Sequence, residues 1–434
     1  MKSSSCLPAV RAESVFRPAP LALLTAPLAL LAATLAPVAQ AADAIGDAIA
    51  GGKAKLELRY RFENVEQEPL AREANASTLR VRLNYATGEW QSTTAFVEID
   101  SLSDMGDGHY NSTRNGETTY PIVADPEGAD INQAFLKYVG IGNTVITAGR
   151  QRINLDGQRF IGSVGWRQNE QTMDGVLVEF KGVDRLTATY AYIDDVHRVF
   201  GPENVPFPNT GANAANIGTF AGETHLLNLK YVLGEKLTVV AYDYLLDFDN
   251  ANPALSTDTL GLRLTGKLPV ASLKFGYTLD AAQQKEYRDN PGDFEAPYLL
   301  GEFTLGGGDK VKWEVLAGYE LLGEDNGSAV STPLATLHKF QGWADKFLAT
   351  PAVGLKDSYL GGTVTIAGYG LTAAVHEYEG DDNGADYGDE VNVQLSKTFA
   401  KRYTLTAKYA DYATGDVAAV TDSTKAWLMA EAKF

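Results

Sequence analysis

Residues 55–63 read Lys55-Leu56-Glu57-Leu58-Arg59-Tyr60-Arg61-Phe62-Glu63, and charged and apolar side chains alternate along the whole stretch. Successive side chains of a β-strand point to opposite faces of the sheet, so this pattern predicts a strand with one charged and one apolar face. The same period returns at residues 77–87, 311–320, 390–399 and 403–411. The chain is therefore expected to be an all-β protein whose sheet separates two different environments.

The alternation predicts eighteen strands, which is an even number. Their expected bounds are 54–63, 77–87, 90–100, 131–139, 143–150, 174–181, 185–193, 223–233, 236–247, 258–266, 270–281, 295–305, 309–320, 355–366, 369–379, 388–399, 402–412 and 424–434. The connections between these strands are alternately short, as at Gly88-Glu89 and Ala400-Lys401, and long, as at 101–130, 151–173 and 321–354.

This loop pattern is typical of one class of fold. A transmembrane antiparallel β-barrel of the outer membrane has short periplasmic turns and long extracellular loops, and its closure leaves no strand edge facing lipid. A soluble β-sandwich also has two-faced strands, but it gives no reason for every second loop to be tight. No repeat of fixed length supports a solenoid or propeller.

Both ends of the chain fit a barrel of the Gram-negative outer membrane. Residues 1–41 have a basic start, an apolar run at Leu21–Leu35 and the small-residue site Ala39-Gln40-Ala41, which predicts a signal peptide and leaves 42–434 as the barrel. The run is too short and too rich in Ala and Pro for a spanning anchor. The only cysteine, Cys6, precedes it, so no disulfide framework is expected.

The last strand alternates up to a terminal aromatic residue, Phe434, and resembles the signal read by the barrel assembly machinery. Its register leaves Trp427 and Met429 facing inward, which a one-residue slip or a bulge would explain. Many apolar faces end in an aromatic residue, as an interfacial girdle against the lipid bilayer and lipopolysaccharide requires: Tyr85, Tyr138, Tyr190, Tyr231, Tyr319 and Tyr409.

A barrel of this strand number encloses an aqueous channel, and the predicted inner face carries charges of both signs. The basic residues are Arg59, Arg61, Arg80, Arg82, Lys137, Arg150, Arg152, Lys230, Arg263 and Lys312, and the acidic ones are Glu57, Glu98, Asp243 and Glu314. Guanidinium groups suit carboxylates, and a ring of them selects anions. The cluster predicts a pathway for a carboxylated solute. Alternatively, the arginines pair with lumen carboxylates and hold the barrel's shape.

Other classes of function find little support. The formal charge of −18 argues against a nucleic-acid partner. The five histidines stand singly, and neither a His-Glu-x-x-His nor a Gly-x-Ser-x-Gly pattern occurs, so no enzyme and no cofactor are expected. The acidic run 381–386 lacks the spacing of a known calcium loop, and no metal site is expected.

Several motifs resemble the alginate export family of outer-membrane barrels. They are Gly149-Arg150-Gln151-Arg152, Arg159-Phe160-Ile161-Gly162, Trp166-Arg167-Gln168-Asn169 with Asp174, and the segment 337–347 with its Gly-Trp-Ala-Asp core. The strand Arg59–Glu63 and the residues 134–138 also fit. The resemblance implies an eighteen-stranded monomer that passes acidic polysaccharide through an arginine-rich constriction, with Arg150, Arg152, Arg159 and Arg167 on the matching motif.

Three hypotheses follow for the function. The first is a channel for an anionic polysaccharide or oligosaccharide, similar to alginate, in either direction. The second is a porin for small carboxylates or for general diffusion. The third is a closed barrel that serves as a receptor or adhesin. The predicted solute pathway comprises Arg59, Arg61, Arg80, Arg82, Arg150, Arg152, Arg159, Arg167, Asp174 and Lys312, and charge removal at Arg150 and Arg152 is expected to weaken block by uronate oligomers.

Overall fold

The computed structural model describes residues 44–201 and 218–434. The expected signal peptide, residues 1–41, lies outside the described residues. A short helix, α1, covers Ala44–Ala50 and leads directly into the first strand. In the part of the chain that the structure describes, no helix is long and apolar enough to cross a membrane.

Eighteen antiparallel strands form one sheet, and they match the eighteen predicted strands to within a few residues at each end. In chain order, β1 to β18 are Lys53–Gln67, Ala74–Ala86, Thr93–Asp104, Gly128–Tyr138, Thr144–Gln151, Thr172–Val183, Leu186–His197, Thr219–Val232, Thr238–Leu246, Thr257–Val270, Leu273–Glu286, Glu295–Gly307, Val311–Leu322, Leu355–Ile366, Tyr369–Glu379, Asp386–Phe399, Tyr403–Thr414 and Ser423–Lys433. A two-residue hairpin, Glu324–Asp325 with Ser328–Ala329, lies in the loop after β13.

The sheet closes on itself because β1 pairs with both β2 and β18. Glu57 lies opposite Arg82 on one side and opposite Lys433 on the other. The terminal Phe434 completes the seam, since its N–H donates to the Leu56 carbonyl at 2.9 Å and its carbonyl accepts from the Leu56 N–H at 3.2 Å. The closed ring confirms the predicted barrel and leaves no unpaired edge.

The outer face of the barrel is apolar. Large hydrophobic side chains are exposed there on strands around the ring, among them Leu136, Leu260, Leu360 and Leu428. The predicted girdle tyrosines share this face by register, and Tyr138, Tyr190, Tyr231, Tyr319 and Tyr409 are 38–44% exposed. Exposure of so much apolar surface around the ring fits a lipid-facing wall.

From β3 onwards the connections alternate between long and short, as predicted, so the barrel has a short-turn end and a long-loop end. The first two connections, 68–73 and 87–92, are equally long. Three long segments fold inward from the long-loop end: 105–127, 152–171 and 323–354. Apolar side chains of 152–171 and 323–354 join inward-facing strand residues in one buried cluster, which includes Phe160, Leu334, Phe347 and Tyr298. Tyr110 and Val123 of the segment 105–127 belong to a second, smaller cluster with Val65, Ala74 and Ala76. The core of this barrel is therefore inside the lumen.

This lumen core explains why one expectation from the sequence, the inward orientation of Asp243, is wrong. Asp243 was predicted to face inward, but it lies between Leu227 and Leu260 in register, and both of those side chains are exposed on the outer face. Tyr242 and Tyr244 face inward instead, with ring centres 5.7 and 6.3 Å from that of Phe160. The assumption that polar side chains face inward fails where a loop makes the lumen apolar.

Trp427 does face inward, and its side chain is almost completely buried. The pairing of β18 with β1 and β17 is continuous through this residue, so the slip or bulge proposed to explain it is wrong. Its ring packs 5.8 Å from Trp166, which arrives from the inward segment 152–171. An apolar partner within the lumen thus explains the inward tryptophan.

Candidate functional site

Four arginines form a row on the inner faces of β1 and β2. Arg59 and Arg80 lie directly opposite each other, and Arg61 and Arg82 are the next inward residues along their strands. Like charges so placed destabilise a sheet unless counterions surround them. Arg59 pairs with Glu431 at 2.5 Å, Arg61 with Asp125 at 3.3 Å, and Arg82 with Asp100 at 2.5 Å.

The same arginine row binds the backbone of the segment 152–171. Arg59 donates to the carbonyls of Gly165 and Arg167, at 3.1 and 3.3 Å. Arg61 donates to the carbonyl of Trp166, and Arg80 donates to that of Gln168 at 3.2 Å. The row therefore anchors a loop across the lumen, because its donors point at loop carbonyls.

Glu170 and Glu98 pair with Arg82 of the row and with one further arginine, Arg152. Arg82 lies 2.8 Å from Glu170, and Arg152 pairs with both carboxylates. Burial alone would raise the pKa of Glu170, but Arg82 and Arg152 lower it to about 2. Glu170 is thus ionised at neutral pH and holds the end of the segment 152–171 to the wall.

Arg159 ties the inward segments 152–171 and 323–354 to β13. Its Nε lies 2.7 Å from Glu320, and its other nitrogens donate to Thr332 at 3.1 Å and to Gln341 at 3.3 Å. The guanidinium is buried and lies over the ring of Phe340 at 4.7 Å. A buried arginine with this many acceptors fixes the two segments relative to each other.

Asp345 is the second node of the site. Its carboxylate contacts His338 at 2.7 Å, Lys425 at 2.8 Å and Arg167 at 3.4 Å. Burial would raise the pKa of Asp345, but the hydrogen bond from His338 and the charges of Lys425 and Arg167 hold that pKa well below its usual range. Arg167 also reaches Glu63 at 3.1 Å, so the node joins both inward segments to β1 and β18.

Lys408 on β17 lies in a cage of three tryptophans. Its Nζ is 3.7 Å from the ring centre of Trp343, 4.0 Å from Trp166 and 5.3 Å from Trp427. The same ammonium donates to Nε2 of His338 at 2.6 Å. Burial lowers the pKa of His338 to about 3, so its ring is neutral and accepts this bond. We refer to Trp166, Trp343 and Trp427 around Lys408 as the tryptophan cage.

Arg150 and Asp174 are placed differently from the other predicted pathway residues. Arg150 lies opposite Ala134 on β4 and opposite Asp174 on β6. By register, both residues are on the same face as the exposed Leu136 and Val176, which is the outer face. Arg150 pairs with Asp174 at 2.9 Å, and His197 lies 2.8 Å from the same carboxylate. The expectation that Arg150 lines the lumen is therefore wrong, whereas Arg152 turns inward after β5 ends.

The remaining predicted basic residue, Lys312, is exposed on the inner face near the short-turn end, far from the arginine row in chain and register. It does not join the cluster that contains Arg59, Arg61, Arg80, Arg82, Arg152 and Arg167.

The inward segments divide the lumen, and we call residues 152–171 and 332–347 the plug. On the long-loop side, an outer chamber of about 400 Å³ is lined by Arg167, His338 and Lys346, among others. On the other side are cavities of about 300 and 660 Å³, which share Glu302 and Glu314. His338 lines the outer chamber and the next residue, Lys339, lines the inner one, so the partition is one chain segment thick there.

Several site residues were not singled out from the sequence, namely Glu390, His338, Lys408 and the three cage tryptophans as a group. Glu390 accepts from the N–H groups of Trp343 and Ala344, which fixes the Gly-Trp-Ala-Asp turn. The motif at 337–347 indicated that this segment is important, but the residues that contact it lie on distant strands and could not be identified from the motif.

The comparisons with known proteins agree with this architecture. The alginate export family matches residues 53–196, which confirms the resemblance over that part of the chain. No functionally curated protein matches it in sequence. Among solved structures, OccAB4 of Acinetobacter baumannii is similar with a TM-score of 0.68 and 15% identity over 88% of this chain and 98% of that one.

Two barrels of Pseudomonas aeruginosa are similar to the same degree. OccK9 (OpdG) has a TM-score of 0.68 and 15% identity, and OpdK, solved with vanillate, has 0.68 and 14%. Each alignment covers 89% of this chain and 99% of the other. At these identities the likeness shows the fold alone, which is the outer-membrane porin barrel.

Proposed function

We propose that this chain is an outer-membrane channel for small solutes that carry a carboxylate. The observation that supports this most directly is the outer chamber, which is lined by Arg167, Arg198, Lys346 and Lys425 and by one carboxylate, Asp345. Cations at the entrance of a pore raise the local concentration of anions. Chambers of a few hundred Å³ also suit small molecules better than a polymer chain.

The setting of the barrel supports the same proposal. Residues 1–41 are expected to direct export and Phe434 to direct assembly, so residues 42–434 would form the mature, monomeric barrel in lipid and lipopolysaccharide. The long-loop end would then face the outside of the cell, and the outer chamber would be the entrance. One structural neighbour, OpdK, is described with a small carboxylate, vanillate.

A second candidate is passage of an acidic polysaccharide, which the alginate export match favours. It requires the plug to leave the lumen, because the arginine row now binds loop carbonyls. A receptor or adhesin role is the third candidate, and the closed lumen supports it only if the plug never moves.

Planar bilayers containing the purified chain test these alternatives. The proposal expects anion-selective current that glucuronate monomers reduce as well as uronate oligomers do, per carboxylate. Block by oligomers alone would favour the polysaccharide channel. Complete absence of current under all potentials would contradict both channel proposals and leave the receptor.

A further inference from the structure

The outer chamber is more apolar than a pathway for sugars requires. Its lining includes hydrophobic residues from four different loops, which are Ile122, Phe200, Pro333, Leu337, Leu348 and Val420. Ile122 and Leu348 are 47% and 48% exposed, so part of this surface is open to a ligand. Apolar surface at this position favours a ligand with an apolar body.

The polar side chains of the chamber are mostly engaged elsewhere. Gln171 donates to the carbonyls of Gly162 at 2.8 Å and Leu334 at 3.0 Å, and the Thr421 hydroxyl donates to the Glu68 carbonyl at 2.5 Å. Asp345 is saturated by His338, Lys425 and Arg167. The ring hydroxyls of a sugar would find few partners here and would lose their hydration.

The cations of the chamber differ in whether they already form an ion pair. Arg167 and Lys425 are paired with Asp345, whereas the Lys346 ammonium has no carboxylate within 4.0 Å among residues 44–201 and 218–434. Its described contact is the face of the Tyr412 ring, with Nζ 5.4 Å from the centre. An incoming anion can therefore bind Lys346 without breaking an ion pair between described residues.

We propose that the outer chamber is a binding site for amphipathic monocarboxylates, in which a flat apolar body, such as an aromatic ring, packs on Leu337, Leu348 and Ile122 while the carboxylate binds Lys346. The inference rests on the proposed channel function and names its substrate class. A cavity of about 400 Å³ accepts a single substituted ring, and the plug closes its floor at Leu337 and His338. Hydroxylated sugar acids are thereby disfavoured relative to aryl or alicyclic acids.

Titration calorimetry on the full chain in detergent tests the site with four probes: benzoate, cyclohexanecarboxylate, D-glucuronate and the neutral benzamide. Benzoate and cyclohexanecarboxylate should bind about tenfold or more tightly than glucuronate, because only they bury the apolar wall, and more tightly than benzamide, because only they carry charge. Lys346→Gln and Leu348→Asn should each weaken benzoate binding severalfold, Lys346→Arg should retain it, and Lys310→Gln on a short turn should leave it unchanged.

Equal affinity for benzoate and glucuronate, or an unaltered affinity in Lys346→Gln, would overturn this site. Conductance measurements on the same preparations distinguish failure of the proposed substrate class from failure of the proposed channel function. If the chain passes anions but does not prefer benzoate, the substrate class fails and the channel stands. If it passes none, the channel proposal fails, whatever the calorimetry shows.

Discussion

Arg150 and Arg152 are two residues apart in the chain but have opposite surroundings. Arg152 faces the lumen and pairs with Glu98 and Glu170, whereas Arg150 pairs with Asp174 on the outer face near the end of β5. A strand places them on the same side only if it continues through both, and β5 ends at Gln151. The sequence period could not reveal where the strand stops and the chain turns inward.

Because of this difference, Arg152 is a test position for lumen charge and Arg150 is its matched control. Arg152→Gln should lower the ratio of anion to cation permeability roughly twofold or more, because it removes a lumen cation. Arg150→Gln should leave the ratio unchanged and lower only the unfolding temperature. Reversal potentials in a salt gradient measure both, and an equal change in selectivity from the two substitutions would contradict the placement.

Glu170 gives a prediction in pH. Its pKa is lowered from 4.5 to about 2, so the stabilisation that it provides is complete above pH 4.5 and is lost as pH falls from there through 2. Glu170→Gln leaves buried guanidinium groups short of a counterion and should destabilise the fold by about 3 kcal/mol at pH 7.

The measurement is the thermal unfolding of detergent-solubilised protein between pH 2 and 7. The wild-type chain should lose stability on acidification, and the variant should lose less of it. Glu235→Gln, on an exposed short turn, is the matched control and should follow the wild type. A variant curve parallel to that of the wild type would show that Glu170 is not responsible.

At the scale of elements, the strands could be predicted from the sequence and the inward loops could not. Every strand carries its own period, because lipid on one side and the lumen on the other impose it residue by residue. The loops have no period, and their positions depend on contacts between distant residues, such as Arg159 with Glu320 and Arg59 with the carbonyl of Gly165. Asp243 was assigned to the wrong face for the same reason. Phe160 packs against the lumen side of β9, so the residues of β9 that face the lumen, such as Tyr242, are apolar.

The turn at Gly342 predicts how firmly the plug is held. Gly342 has φ +74°, and a Cβ there would meet the carboxylate of Glu390, which binds the next two N–H groups. Gly342→Ala should therefore displace the segment 337–347, lower the unfolding temperature by an amount that reflects roughly 2 kcal/mol or more, and raise single-channel conductance.

Gly327→Ala is the control for backbone strain alone. Its φ of +76° matches that of Gly342, but a Cβ there would meet no atom within 4 Å. It should lose some stability and leave the conductance unchanged. Equal conductance in the two variants would mean that the contact with Glu390 does not hold the plug.

At the scale of the whole molecule, ion pairs as well as the buried apolar cluster hold the plug to the barrel wall. The wall is complete without the plug, since all eighteen strands pair with each other around the ring. Ion pairs at Glu170, Asp345 and Glu320 fix the inward segments to the wall. These ion pairs can exchange partners with an anionic solute, whereas the apolar contacts of the cluster cannot.

The tryptophan cage tests this division. Lys408→Met keeps the length of the side chain but removes the ammonium that His338 and the rings contact, so the plug should loosen and conductance should rise, by roughly twofold or more. The barrel should remain folded, as judged by heat-modifiable migration in gels. Lys397→Met removes a comparable cation–π contact, 3.6 Å from the Tyr369 ring on the outer face, and should change neither property.

The cage also has a practical consequence. Three of the five tryptophans in the chain meet around Lys408, and two of them, Trp166 and Trp343, belong to segments that would have to travel when the lumen opens. Ultraviolet emission from the unlabelled protein should thus be dominated by this one spot, and its colour and intensity would record gating events in real time without any attached dye.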